Sequence, residues 1–412
     1  MKKTVASLLV GTFFLTGCAA GGGGASSINV GPAMSSSYSK LEKEDKKETV
    51  VQKTKLDIII PAFDANLPKD PADYEKEGIW PELRRAEAVR FAYKMKLALE
   101  KTAAFGAVRV IPDKNATGDL YLLGKIDKSN GEEVDLDIEV YDIGGKKWLD
   151  KSFDYTVEAD FYSNIRNKDK DAYAPIFAKI AKKLVEKLDH QKEKTLTQLQ
   201  ALTEVRFGAN FSEENFGKYM AVKKGKVSLV AYPAEDDLML QRIKSIRVRD
   251  QMFVDRMQSH YEQFNQQMDE SYKIWQKQSF EEVQAESKAS NEAIGKAFAG
   301  IGLIALGVLS AVAGSNSNNV GGYATGTTGA IVAGQAGVAL LGESAKMNKE
   351  AQFHHEALSE LGASVDAEMA PQVVEFEATS KSLTGSATEQ FSQWRTFLKQ
   401  MYEQEATPDV QL

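Results

Sequence analysis

The stretch Ala297–Gly342 carries no formally charged side chain and is dense in glycine and alanine. It divides into AFAGIGLIALGVLSAVAG (Ala297–Gly314) and VGGYATGTTGAIVAGQAGVALLG (Val320–Gly342), around the polar turn SNSNN. At a helical rise of about 1.5 Å per residue, the first half is roughly 27 Å long. That is close to the roughly 30 Å hydrocarbon core of a bilayer. Gly300, Gly307 and Gly314 recur at heptad spacing, Gly326, Ala330 and Gly334 fall four apart, and so do Gly329, Ala333 and Gly337. Small residues so spaced let helix backbones approach closely. The pattern predicts a hairpin tip over 297–342 that enters a membrane or packs tightly against copies of itself. Burial within the protein's own core is the competing reading, because Thr325, Thr327, Thr328 and Gln335 leave the second half only mildly apolar.

Long helical arms flank this tip. Ile243, Ile246, Phe253, Met257, Phe264, Met268, Tyr272 and Trp275 step by three, four or seven, and no Gly or Pro intervenes before Gly295. A periodic run this long predicts a coiled coil or extended rod. Its aromatic and methionine stripe over 253–275 reads as a helix–helix seam before it reads as an exposed partner groove. The return arm carries Leu358, Leu361, Phe376, Phe391, Trp394 and Leu398, with Gly362, Pro371 and Gly385 to kink or segment it. Together 238–405 reads as one long antiparallel helical hairpin.

Residues 54–190 have a different rhythm. KLDIIIPAFD is a short apolar run ended by proline, as in a buried strand. Trp80, Leu83, Ala86, Val89 (or Arg90), Tyr93 and Leu97 mark a helix opened by Pro81 and broken by Gly106. Ala107–Pro112, Asp119–Asp127, Glu133–Ile143 and Lys147–Glu158 read as four more strands, the last two joined through Gly144-Gly145. A closing helix from Tyr173 to about Leu188 has Ile176, Ile180, Leu184 and Leu188 on one face. Strand, helix, strands and helix in this order predict an α/β sandwich, with helices on one face of a mixed sheet. The fold class expected for the whole chain is α+β: this sandwich, then the long hairpin with its Gly/Ala-rich tip. Residues 191–237 read as a connector packed on the sandwich, with helical TLTQLQALTEVRF, a short helix in Phe211–Met220 and a short strand in KVSLVAYP.

This element order, with an AxxxAxxxxxxL-like helix after the first strand, resembles the periplasmic α/β domains of the curli-secretion lipoprotein and of the N-terminal domain of the translocation protein TolB. The resemblance implies an assembly or interaction module.

At the N-terminus, MKKTVASLLVGTFFLTGC has two lysines, a short apolar core and a cysteine, the plan of an export signal over 1–17. LTGC resembles the lipobox of bacterial lipoproteins. It implies that Cys18 is acylated and becomes the first mature residue. Cys18 is the only cysteine, so disulfides and thiol chemistry are not expected. Ala19 in place of aspartate implies sorting to the outer membrane by the enterobacterial rule. Residues 18–53, with GGGG, serines and LEKEDKKE, read as a flexible tether holding the folded part off the lipid.

Net charge is −7, and loss of the two leader lysines takes it to −9. An acidic chain without a basic cluster argues against nucleic-acid binding. None of His190, His260, His354 and His355 sits in a metal-ligand pattern, and the adjacent pair 354–355 reads as solvated surface. GGGG at 21–24 lacks the flanking strand and helix of a phosphate loop. Asp135, Asp137 and Glu139 alternate along one strand face and read as a solvent-facing edge. No catalytic residue, cofactor or metal is expected. The sequence therefore predicts a non-enzymatic outer-membrane lipoprotein facing the periplasm, an envelope assembly or structural component. Its expected partners are membrane lipid, through the Cys18 acyl chains, and further copies or an envelope complex. The alternative is a subunit of an oligomeric secretion or transport pore.

Overall fold

The computed structural model describes residues 54–112, 116–292, 354–363, 372–376 and 379–406, all within one of the chain's two contact units, Met34–Leu412. The leader 1–17, the tether 18–53 and the tip 297–342 lie outside the described residues.

The apolar run of KLDIIIPAFD forms β1 (Ile58–Pro61), and helix α1 (Ala72–Lys76) follows in the next loop. Helix α2 (Pro81–Lys101) starts with proline in its first turn, where the missing N–H costs no helical bond. It ends earlier than Gly106. The Thr102 hydroxyl bonds back to the Leu99 carbonyl (2.6 Å), and Ala103 turns the chain at φ +55°. Strands β2 (Val108–Ile111), β3 (Leu120–Ser129), β4 (Glu133–Asp142) and β5 (Lys147–Thr156) complete a five-stranded mixed sheet in the order β2-β1-β3-β4-β5. β1 pairs in parallel with both β2 and β3, while β3, β4 and β5 form an antiparallel meander. Val134, Leu136, Ile138 and Val140 of β4 are fully buried, with the acidic residues between them on the wetter face, as a two-residue period requires.

Helix α3 (Ala174–Asp189) buries Ile176, Ile180, Leu184 and Leu188 and packs beside α2. Helix α4 (Glu193–Ala209) closes the end of the sheet where β1 begins. There the Gln200 side chain bonds the Lys55 carbonyl (2.9 Å), and the Thr203 hydroxyl bonds Asp119 (2.5 Å). A short helix α5 (Glu213–Phe216) leads into a hairpin of β6 (Met220–Lys223) and β7 (Lys226–Leu229), turned at Lys224-Gly225 with both φ values positive.

The long helix is α6 (Leu238–Glu292), 55 residues and about 82 Å at helical rise. The Asp237 carboxylate caps it, accepting from the N–H groups of Met239 and Leu240. Its aromatic stripe faces protein: Phe253, Met257, Tyr261, Met268 and Tyr272 are buried against the sheet, α2 and the return segment. That return segment is not one helix. Helix α7 (354–363) is followed by a hairpin of β8 (Gln372–Phe376) and β9 (Thr379–Leu383), then by helix α8 (Ala387–Ala406). The alternation of QVVEF and TSKSL suits strands. Gly385 then turns at φ +95°, and Ser386 with Glu389 restarts the helix as a reciprocal capping box. α8 runs antiparallel to α6: Trp394 stacks on Phe253, and Arg242 lies over the Tyr402 ring.

The molecule is thus an α+β protein. β1 and β2 are buried on both faces, as parallel strands are. The described helices include none long and apolar enough to cross a membrane.

Candidate functional site

The arrangement that governs what this chain can do is the junction between α6 and the sandwich. Contacts run along α6 from Leu240 to Gln284, so the helix is bound to the α/β layer over most of its length. Three groups of residues make the joint.

The first lies at the sheet edge. β2 is an outer strand, and α6 covers it. Arg109 of β2 is 9% exposed and grips both Asp255 oxygens, at 2.6 and 3.2 Å, while reaching Asp57 at 3.1 Å. Burial works against its charge, but the two carboxylates prevail and its pKa is raised. The fork of an arginine matched to a carboxylate fixes orientation as well as proximity.

The second group is a charge network between α2 and α6. Arg90, fully buried, donates to Asp171 (3.0 Å), Asp269 (2.8 Å) and Asn265 (3.1 Å), and its guanidinium lies 4.5 Å over the Tyr272 ring. Lys94 also reaches both carboxylates, and Lys273 reaches Asp269 at 2.7 Å. Burial pushes Asp269 upward, yet the bonds from Lys273 and Arg90 hold it well below the usual carboxylate range. Asp171 is likewise lowered, burial being outweighed by Arg90 and Lys94. One turn away Glu87 accepts from Tyr272 (2.8 Å) and Ser129 (2.5 Å) and pairs with Arg84 at 3.2 Å. Its burial raises its pKa all the same. A charge set of this kind adds little net stability over an apolar core, but it is costly to break by halves. It therefore fixes one register of α6 on α2.

The third group fastens the far ends. The β3–β4 turn presses Gly131 (φ +85°) onto α6. A Cβ there would fall 2.6 Å from Ser279 and 2.8 Å from the backbone of Gln276 and Phe280. On the return segment, His354 is buried with its Nδ1 3.0 Å from the Ser271 hydroxyl, and His355 lies flat on Trp80. This corrects the expectation of a solvated histidine pair. Neighbouring positions on a helix point roughly 100° apart, and here each direction meets a packed element.

A separate cleft of about 590 Å³ opens between α4, α8 and the start of β3, lined by Tyr121, Arg206, Asn210, Thr388, Ser392 and Arg395. Both guanidinium groups are engaged structurally: Arg395 with buried Asp250 at 3.1 Å, and Arg206 with the Ile143 carbonyl. Among the described residues no group of three His, Cys, Asp or Glu side chains is placed to hold a metal ion.

Cys18 and the tip glycines Gly300, Gly307, Gly314, Gly326, Gly329, Gly334 and Gly337 lie outside the described residues. Apolar spacing along α2 does not reveal the junction: it allows Arg90 only as an alternative to Val89 among the marker positions and assigns nothing to Arg84 and Glu87. In the structure Glu87 and Arg90 meet α6, while Leu97, read as an apolar marker, is 40% exposed. The available clue was the set of uncompensated polar positions, Asn265, Asp269 and Gln276, within the helix that carries the aromatic stripe. Compared with known protein families, with curated proteins and with solved structures, the chain matches none of them.

Proposed function

We propose that this chain is a non-enzymatic lipoprotein of the bacterial outer membrane, acting in envelope assembly or structure. Cys18 holds it to lipid, the α/β layer stands in the periplasm, and the uncharged 297–342 segment is presented as a helical hairpin tip for a second membrane or for further copies. The observation that carries the reading is the contact between Ser271 and His354, 3.0 Å apart. It brings α7 of the return segment onto α6, while α6 itself stays bound to the sheet layer as far as Gln284. The junction supports the same reading. A hairpin fastened to a rigid layer transmits position, whereas a hairpin on a loose linker does not.

The lipobox reading supplies the address: two or three acyl chains anchor stably where one is marginal. Metabolic labelling with a fatty-acid analogue tests it. Cys18→Ala is expected to carry no label, since the chain has no other thiol, and label retained on that variant sinks the anchor. The size of the detergent-extracted complex tests the rest. A discrete ring would replace the assembly reading with that of a pore subunit.

A further inference from the structure

The β6–β7 hairpin ends in a tip of three exposed lysines, Lys223, Lys224 and Lys226. Tertiary packing adds a fourth. The Val227 N–H bonds the Gly144 carbonyl (2.9 Å), and a Cβ on Gly145 would stand 3.6 Å from the Gly225 carbonyl oxygen. The β4–β5 turn, with exposed Lys146, therefore lies against the hairpin tip. Among the described residues no carboxylate forms an ion pair with any of these four ammonium groups. The acidic side chains at this end of β4 and β5 are engaged already. Lys147 takes Glu139 and Asp150, each at 2.7 Å, and buried Asp142 accepts from Trp148 Nε1 (3.0 Å) and from the Lys146 N–H (2.9 Å). Glu213, Glu214, Glu235 and Asp236 flank the root of the hairpin, before β6 and after β7.

Two features of the tip work against its own stability. Lys223 and Lys226 are directly opposite in the ladder, and like charges so placed repel. Lys224 takes the left-handed conformation (φ +52°) ahead of Gly225 (φ +74°), a turn position that Asn or Asp fills with less strain. Local strain of this kind gathers at binding sites. Val222, next to the lysines, is 71% exposed, and a Cβ on Gly225 would meet no atom within 4 Å, so nothing walls the tip.

We propose that this tip docks on an anionic lipid surface. The four ammonium groups meet headgroup phosphates, whose charge relieves the repulsion between Lys223 and Lys226, and Val222 enters the boundary beside them. An extended peptide would need an open strand edge or pockets for its side chains, and an unwalled turn suits a surface better. A chain of net charge −7 is repelled by such a surface as a whole, so a basic tip decides which end approaches it. The tip uses neither Cys18 nor the 297–342 segment, and it stands or falls apart from the envelope reading.

The test is co-sedimentation of the full chain, as Cys18→Ala, with vesicles of phosphatidylcholine alone and of phosphatidylcholine with about one-third phosphatidylglycerol. Partition onto the anionic vesicles is expected to exceed that onto the neutral ones at least about tenfold and to fall with added salt. Lys224→Asn, which suits the turn better, and Lys146→Gln, on the other turn, should each lower that ratio about fivefold. Lys194→Gln, at an exposed position near the start of α4, should leave it unchanged. Equal partition onto the two vesicles, or a ratio that either tip variant leaves unchanged, overturns the proposal. So does a tip that ignores vesicles but binds polyglutamate through the same lysines, which would assign it to an acidic protein.

Discussion

The Gln258 side chain holds the backbone of Val110 at both ends. Its Oε1 accepts from the Val110 N–H and its Nε2 donates to the Val110 carbonyl, each at 2.9 Å. A helix thereby supplies the pairing that a sixth strand would give to the outer edge of the sheet. Open edges invite pairing with other chains, and proteins cover them. Here one amide on α6 does so, at the point where Arg109 locks onto Asp255.

Replacing Gln258 by leucine should leave two part-buried backbone groups of Val110 unpaired. The expected loss is about 2 kcal/mol of unfolding free energy, measured by urea denaturation. Gln267→Leu, at an exposed position on the same helix, should stay within about 0.5 kcal/mol. Equal effects would mean that the amide bridge contributes nothing.

Arg90→Met removes the cation shared by Asp171 and Asp269. The expected cost is about 3 kcal/mol, the lower end for breaking a buried pair, because Lys94 and Lys273 remain. The pH dependence has a definite sign. Both carboxylates have folded pKa values below 3.8, so their stabilisation is present above that value and is lost as pH falls through the lowered ones. In Arg90→Met the carboxylates lose that support, and acid unfolding should begin at a higher pH than in the parent. An unchanged acid midpoint would remove the network from the stability account.

His355 stacks on Trp80 with ring centroids 4.0 Å apart and planes within 6°. Burial lowers its pKa from 6.5, against the pull of Glu356 and Glu82. Its neutral form is favoured when folded, so its contribution is present above pH 6.5 and is lost as pH falls below it. Amide exchange over 354–363 should therefore quicken, beyond its intrinsic rate, between about pH 7.5 and pH 5.5. His355→Phe keeps the stack without the proton and should abolish that dependence. Retained dependence assigns it elsewhere.

Gly362 of α7 lies against the backbone of Glu82, and a Cβ there would run into its carbonyl oxygen. Gly362→Ala should push α7 off α2 at a cost of about 1–3 kcal/mol, seen as faster amide exchange in 354–363. Gly217→Ala, whose new Cβ meets nothing nearer than 3.5 Å, is the matched control. A silent Gly362→Ala would mean that the helices separate freely.

The uncharged segment calls for a paired test. If Ala297–Gly314 enters a bilayer, Leu306→Arg should cost about 2.5–3.5 kcal/mol of insertion and abolish carbonate-resistant membrane association in a Cys18→Ala background. If close helix approach matters more, Gly307→Leu should be the damaging change, seen as loss of the oligomer by native sizing. A Cys18→Ala protein that remains fully soluble and monomeric would end both readings.

Periodicity with Pro and Gly signals was enough to place the five strands and the two long helices of the sandwich, though not the short α1. The two-residue alternation of β4, the single apolar face of α3 and the gapless period of α6 are local patterns, and each is fixed by burial on one side. The β6 strand escaped because MAVK is short and only the Lys224-Gly225 turn marks it. Which side of α2 is buried was not a local matter. Glu87 and Arg90 have no local reason to be buried until Asp171, Asn265, Asp269 and Tyr272 arrive from distant parts of the chain, as much as 185 residues away. The same is true of His354 and His355, whose partners Ser271 and Trp80 lie far off in sequence. Hydrophobic patterning reports only how a segment divides oil from water. Whether a polar side chain faces solvent or a distant partner is decided by long-range packing.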